Sequence, residues 1–333
     1  MHPSNSPGIY KKSAQIAALA ASLLALSGCT AVKVKLGLRV RLEKLPISSM
    51  QVTMPNGPDI SPGEKSPLIA RFTQPNGKVR VTEGAGKGKV LWQDIALAPT
   101  VVTADKKGNI ILAHDPRKSD GKTGHGAVTV PSHPDLHAEF DVPVTYDYNF
   151  VANFSGAAGS DGFNGADGSA GFSGSSGSTD PNNPSAGGNG GNGTDGSNGG
   201  DGGDGGNGPA VQVRVTVRPG AHPLLQASVS AAGKTRLYLV DPAGGALNVQ
   251  DNGGPGGHGG RGGRGGAGGS GGSGTPSGSS GSSGSDGRAG SDGSSGVGGS
   301  ITVTYDPSVK QYLSIIHLAN AGGPTPVFIE APV

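Results

Sequence analysis

Between Val32 and Leu42 the chain alternates without a break. Val32, Val34, Leu36, Leu38, Val40 and Leu42 fall on one side, and Lys33, Lys35, Arg39, Arg41 and Glu43 on the other. A period of two predicts a half-buried strand. Its cationic side would either rest on anionic head groups, at about 1 kcal/mol per basic residue, or stay solvated, and both readings stay open. Further runs of strand length follow at 49–54, 68–73, 79–82, 90–93, 100–104, 110–113, 128–130 and 138–148. Pro55-Asn56-Gly57, Pro75-Asn76-Gly77 and Lys107-Gly108-Asn109 separate some of them with residues that reverse a chain. Short strands at this spacing predict a β-sandwich. Alternation returns at Val211, Val213, Val215 and Val217, with more strands expected at 225–230, 235–240, 301–305, 312–318 and 326–329.

Elsewhere the apolar pattern stops and glycine recurs at every third position. The period holds from Gly156 to Gly177, Gly187 to Gly208, Gly254 to Gly272 and Gly278 to Gly299. Three residues per turn is the polyproline II helix, left-handed, rising about 3.1 Å per residue and lacking internal hydrogen bonds. All glycines of a block then share one bare edge, where a second backbone can approach closely enough to bond. Ser178 to Ala186 and Thr275-Pro276-Ser277 are rich in turn residues, so the blocks read as two hairpins with arms of roughly 68 Å. Blocks two and three read largely Gly-Gly-x, leaving two edges bare, and are expected innermost. Only Pro255 falls within the blocks, which disfavours a collagen trimer. A disordered linker is the competing reading, because ordering glycine is costly and each hydrogen bond contributes only about 1 kcal/mol net.

Charge adds a register. The first hairpin carries Asp161, Asp167, Asp180, Asp195, Asp201 and Asp204 and no Lys or Arg, while block three presents His258, Arg261 and Arg264. Counted from the base, Asp201 is level with Arg261, and Asp204 with His258. These pairs are expected to set the register of antiparallel neighbours. The alternative is that Asp, Asn and Ser only keep the rods soluble. Block four also offers a row that includes Ser279, Ser282 and Ser285, and block one places Phe163 and Phe172 three turns apart on one edge. That row and those rings form a possible ligand face, or else contact a neighbouring rod.

Lys11 and Lys12 precede an apolar run from Ile16 to Leu24, closed by Leu26-Ser27-Gly28-Cys29. This is the pattern of an exported leader, too short for a comfortable transmembrane helix. Leu26-Ser27-Gly28-Cys29 resembles the lipobox of bacterial lipoproteins. The resemblance implies a leader over 1–28, lipid on Cys29, and, with Thr30 next, retention at the outer membrane. Cys29 is the single cysteine, so no intramolecular disulfide is expected.

Little points to catalysis. His133 and His137 would share a helix face, but Pro134 argues against a helix, so no metal site is expected. The loop from Asp115 to Gly126 lacks the acid pattern of a calcium loop. Gly-x-Gly-x-x-Gly matches lie inside the repeats and carry no weight. The net charge of +2, with no basic aromatic-rich face, suggests no nucleic-acid partner. No enzyme activity and no cofactor are expected.

The stretch from Ile60 to Lys78 looks like the opening of bacterial immunoglobulin-like surface modules. The glycine blocks are similar to those of polyglycine II bundle proteins, which include an antifreeze protein and receptor-binding tips of phage adhesins, and of Gly-rich collagen-like lipoproteins. The expected fold is therefore mainly β, an immunoglobulin-like sandwich over 29–150. A second β module follows over 151–333, carrying rod insertions at 156–208 and 254–299 that form a four-rod bundle. The implied role is a cell-surface structural or adhesive protein, held to the membrane through Cys29, with a protein or polysaccharide partner at the bundle. A glycan- or ice-binding module is the alternative.

Overall fold

The computed structural model describes residues 30–333, whose regular elements are mostly short β-strands. Cys29, the lipobox and the leader lie outside the described residues. The chain is mainly β and separates into two units, the second beginning at Asp147.

The first unit holds nine strands: β1 (Ser49–Thr53), β2 (Lys65–Pro67), β3 (Ile69–Thr73), β4 (Val79–Val81), β5 (Ala96–Thr100), β6 (Val102–Ala104), β7 (Asn109–Leu112), β8 (Gly124–Val130) and β9 (His133–Val142). They form three three-stranded antiparallel sheets, ordered β1-β3-β4, β2-β7-β6 and β5-β8-β9. Phe72, Leu42, Ile60, Leu68, Ile110 and Leu112 are among the buried residues of one shared core. The expected turns hold: Gly57, Gly77 and Gly108 all take positive φ, which a residue with a side chain rarely adopts. Asp105 tightens the last of these turns. Its carboxylate accepts from the Lys107 and Asn109 amides and pairs with Lys65, and these bonds outweigh burial to hold it well below the usual carboxylate range.

The strand expected over 32–42 does not form. Thr30–Lys35 is instead a short helix, α1, and Leu36 and Leu38 are exposed. A strand needs a partner along its length, and here only Val40 bridges to Val90. A helical turn satisfies its own amides, as in the Leu36 amide donating to the Val32 carbonyl.

The second unit contains two sheets. One is parallel, with β10 (Asn149–Asn153), β14 (Ala246–Gln250) and β16 (Ile316–Ala319) in the order β10-β14-β16. The other is ordered β13-β12-β11-β15-β17, formed by β11 (Val211–Arg218), β12 (Leu224–Ala231), β13 (Lys234–Val240), β15 (Ile301–Tyr305) and β17 (Val327–Glu330). Alternation does what the sequence leads one to expect: Val211, Val213 and Val215 are fully buried, opposite Ala227 and Val229 of β12. Phe150, Leu247, Val303 and Tyr238 are in the same core. β10 was not anticipated, and it draws the start of this unit four residues earlier than the expected 151. The strand expected at 312–318 is replaced by a 3₁₀ helix, Pro307–Ile315, followed by β16. Asp306 accepts from the Ser308 amide and Pro307 occupies the first turn, a capping signal that outweighs the apolar run.

Candidate functional site

β10 runs directly into glycine block one and β14 into block three, while blocks two and four run into β11 and β15. The blocks bond to one another through backbone amides at every third residue. The amides of Gly156, Gly159 and Gly162 donate to the carbonyls of Asn252, Pro255 and His258, and the pattern repeats to Gly177. Block two donates to block one, as from Gly200 to Phe163, and to block four, as from Gly202 to Ser291. Block three donates to block two, as from Gly260 to Gly200, and accepts from block four, as from Gly290 to Gly260. Blocks two and three are therefore each bonded to all three others.

Sheet pairing and block pairing share one offset. β10 lies parallel to β14 with Asn153 opposite Gln250, a separation of 97 residues. The same separation relates Asp161 to His258 in the blocks. β11 and β15 are parallel at a separation of 90, and so are Asn207 and Val297. The sheets thus fix which residues of the blocks stand level.

Glycine is required wherever another backbone crosses. A methyl at Gly260 would overlap the Phe163 carbonyl oxygen, and one at Gly290 the Gly200 oxygen. Such contacts bring Cα–H groups against carbonyls, worth about 0.5–1 kcal/mol each. Side chains return where there is room. Thr194 and Ser197 replace glycine in the row facing block one, and their hydroxyls accept the Ser169 and Ala166 amides at 2.7 Å.

The third residue of each block-two triplet is always Asn or Asp. Asn189, Asn192, Asp195, Asn198, Asp201, Asp204 and Asn207 each accept, through Oδ1, a backbone amide of block four, at 2.6 to 3.0 Å. Asp161, Asn164 and Asp167 of block one do the same for the amides of His258, Arg261 and Arg264. The expected register pairs are not made. Asp201 and Asp204 turn to the Ser291 and Ser294 amides rather than to Arg261 and His258, because a backbone amide fixed by the adjacent rod needs an acceptor there. His258 Nδ1 lies instead 3.8 Å from Asp292 Oδ1. These polar side chains thus bond backbone. Their signal in the sequence is one residue class, Asn or Asp, at one phase of the repeat.

Phe163 and Phe172 remain 73% and 75% exposed. Each ring sits beside a glycine of block two: a side chain at Gly200 would fall 2.5 Å from Phe163 Cε1, and one at Gly191 2.6 Å from Phe172 Cε1. Ser279, Ser282 and Ser285 are exposed, with their amides taken by Asn189, Asn192 and Asp195.

At the root of the blocks sits Asp251, wholly buried, with no hydrogen bond of good geometry to either carboxylate oxygen. Oδ1 faces Gly208, where an added side chain would lie 2.6 Å away, and Oδ2 faces Gly299. Burial pushes this carboxyl up to about 6, the Gly299 amide pulling the other way.

His133 and His137 both lie on β9, with His133 Nε2 bonded to the Leu45 carbonyl at 2.8 Å. Among the described residues no cluster of three or more His, Cys, Asp or Glu is placed to hold a metal. No described helix is long and apolar enough to cross a membrane. No family model matches the chain, and neither a curated protein nor a solved structure matches it.

Proposed function

We propose that this chain is a lipid-anchored cell-envelope protein, structural or adhesive, that presents a four-rod polyglycine II bundle to a partner or matrix. The observation that carries the reading is the bonding of every third amide in each glycine block to another block. A backbone with no internal hydrogen bonds becomes stiff when its neighbours satisfy it, and a stiff arm of roughly 68 Å is a projecting device. The lipobox at Leu26 to Cys29 supplies the anchor, and the outer membrane the location. The immunoglobulin-like nature of the first unit, supported by antiparallel strands around a common core, would make it a spacer. No enzymatic role is assigned.

Two measurements test this. Metabolic labelling with palmitate should mark the wild-type chain and not Cys29→Ala. Amide exchange followed by mass spectrometry should show protection across 156–208 and 254–299. Exchange at free-peptide rates there would remove the bundle, and an unlabelled wild-type chain would remove the anchor.

A further inference from the structure

We infer that the face of the bundle carrying Phe163 and Phe172 binds a linear polysaccharide lying along the glycine blocks. The inference rests on the bundle reading above and adds a ligand class to it.

Three rows make up this face. Block one contributes the two rings, block two its Asn and Asp side chains, and block four its serines and Arg288. Positions within each row recur every third residue, about 9 Å along the axis, and the two rings stand three such steps apart. Bonding fixes their order across the face, because the block-two side chains bond the block-four amides while the rings lie beside block-two glycines.

Both rings have the same setting. Phe172 stands beside Gly191, flanked by Asn189 and Asn192, whose Oδ1 atoms are held by Ser279 and Ser282. Phe163 stands beside Gly200, flanked by Asn198 and Asp201, held by Arg288 and Ser291. Nine residues separate the two settings, roughly 28 Å. In each Asn or Asp one oxygen is committed, which orients the group and leaves the Asn Nδ2 or Asp Oδ2 for a ligand. The Arg288 guanidinium forms no ion pair among the described residues and adds a donor at one setting.

Packing within the bundle does not account for the rings. Serine or alanine fills the intervening positions of the same row, at Ser160, Ala166, Ser169 and Ser175, with the same backbone bonds. Each ring lies beside a bare glycine of block two and keeps most of its surface open to a ligand. A protein partner favours a contiguous apolar patch, and these rings are separated by the small residues Ala166 and Ser169. A polysaccharide chain has apolar C–H faces at intervals and hydroxyls between them. Rings at intervals beside rigid amides, carboxylates and hydroxyls match that chemistry, and the rigid scaffold limits the ordering cost of binding.

The test uses the full chain in detergent, run on native gels containing hydroxyethyl cellulose or alginate, beside the double variant Phe163→Ser, Phe172→Ser. Serine already occupies this row, so the variant should keep its melting temperature and its amide protection. The wild-type chain should be retarded by one of the two polymers, and the variant should bind it roughly ten-fold more weakly or worse. Absence of retardation in both gels, or equal retardation of the variant, overturns the inference. So does a wild-type chain that sediments as a dimer through this face, with a monomeric variant and no retardation. Loss of amide protection in the wild-type blocks would instead overturn the bundle reading, which separates the two failures.

Discussion

Asp204 Oδ1 accepts the backbone amide of Ser294 at 2.7 Å, and the same bond recurs at each triplet of block two with one residue type or its amide counterpart. The acceptor matters and the charge does not, since Asn and Asp alternate in the row freely.

Asp204→Asn should therefore leave stability at neutral pH within a few tenths of a kcal/mol, while Asp204→Ala should cost about 0.5–1 kcal/mol, the low end for an exposed hydrogen bond. Thermal melting compares the two, and amide exchange at Ser294 should rise only in the alanine variant. Equal loss from both would mean that charge carries the effect.

Glycine positions should differ sharply in what they tolerate. Gly260→Ala places a methyl against the Phe163 carbonyl, and nothing flexible can yield; we expect a cost of 1–3 kcal/mol, as for overpacking. At Gly206 the nearest atom to an added methyl is the Ala157 nitrogen at 3.2 Å, so Gly206→Ala should stay within about 1 kcal/mol. Chemical denaturation of the two variants decides the ranking.

Asp251 makes stability depend on pH. Its folded value is raised to about 6 from a usual 3.8, so the folded chain holds a proton that the unfolded chain has released. The resulting stabilisation is complete below about pH 4 and is lost as pH rises through 6, up to about 3 kcal/mol in all. Melting temperature should fall between pH 4 and 7 in the wild type, most of it below pH 6, and fall less in Asp251→Asn. A variant with the same slope as the wild type would show that another group titrates.

Asn189, Asn192, Asn198 and Asn207 each precede a glycine, the sequence most prone to deamidation by attack of the glycine nitrogen on the Asn side chain. Here those nitrogens donate to the carbonyls of Ser279, Ser282, Arg288 and Val297. Attack requires local opening, so deamidation followed by mass spectrometry should run about ten-fold slower, or slower still, in the folded chain than in urea. Equal rates would mean that these bonds open freely.

The pattern of residues foretold the strands of the second unit well where two neighbours supply alternate apolar faces, as at 211–217. It failed where local bonding competes: Asp306 and Pro307 started a helix in an apolar run, and the segment after Thr30 lacked a strand partner. The threefold repeat likewise indicated bare edges and two inner blocks. Asp251, buried at the root, was passed over because nothing around it in the sequence marks it.

What the order of residues determined by itself is the kind of backbone: period two gives faces, period three gives edges, and glycine gives closeness. Tertiary structure alone decided which edges meet and at what offset. The glycine blocks bond to one another and not within themselves, so they have no register of their own, and the parallel pairs β10 with β14 and β11 with β15 supply it, at separations of 97 and 90 residues that run unchanged into the blocks. The same offsets turned Asp201 and Asp204 from charge partners into acceptors for backbone, because amides fixed at that spacing must be satisfied.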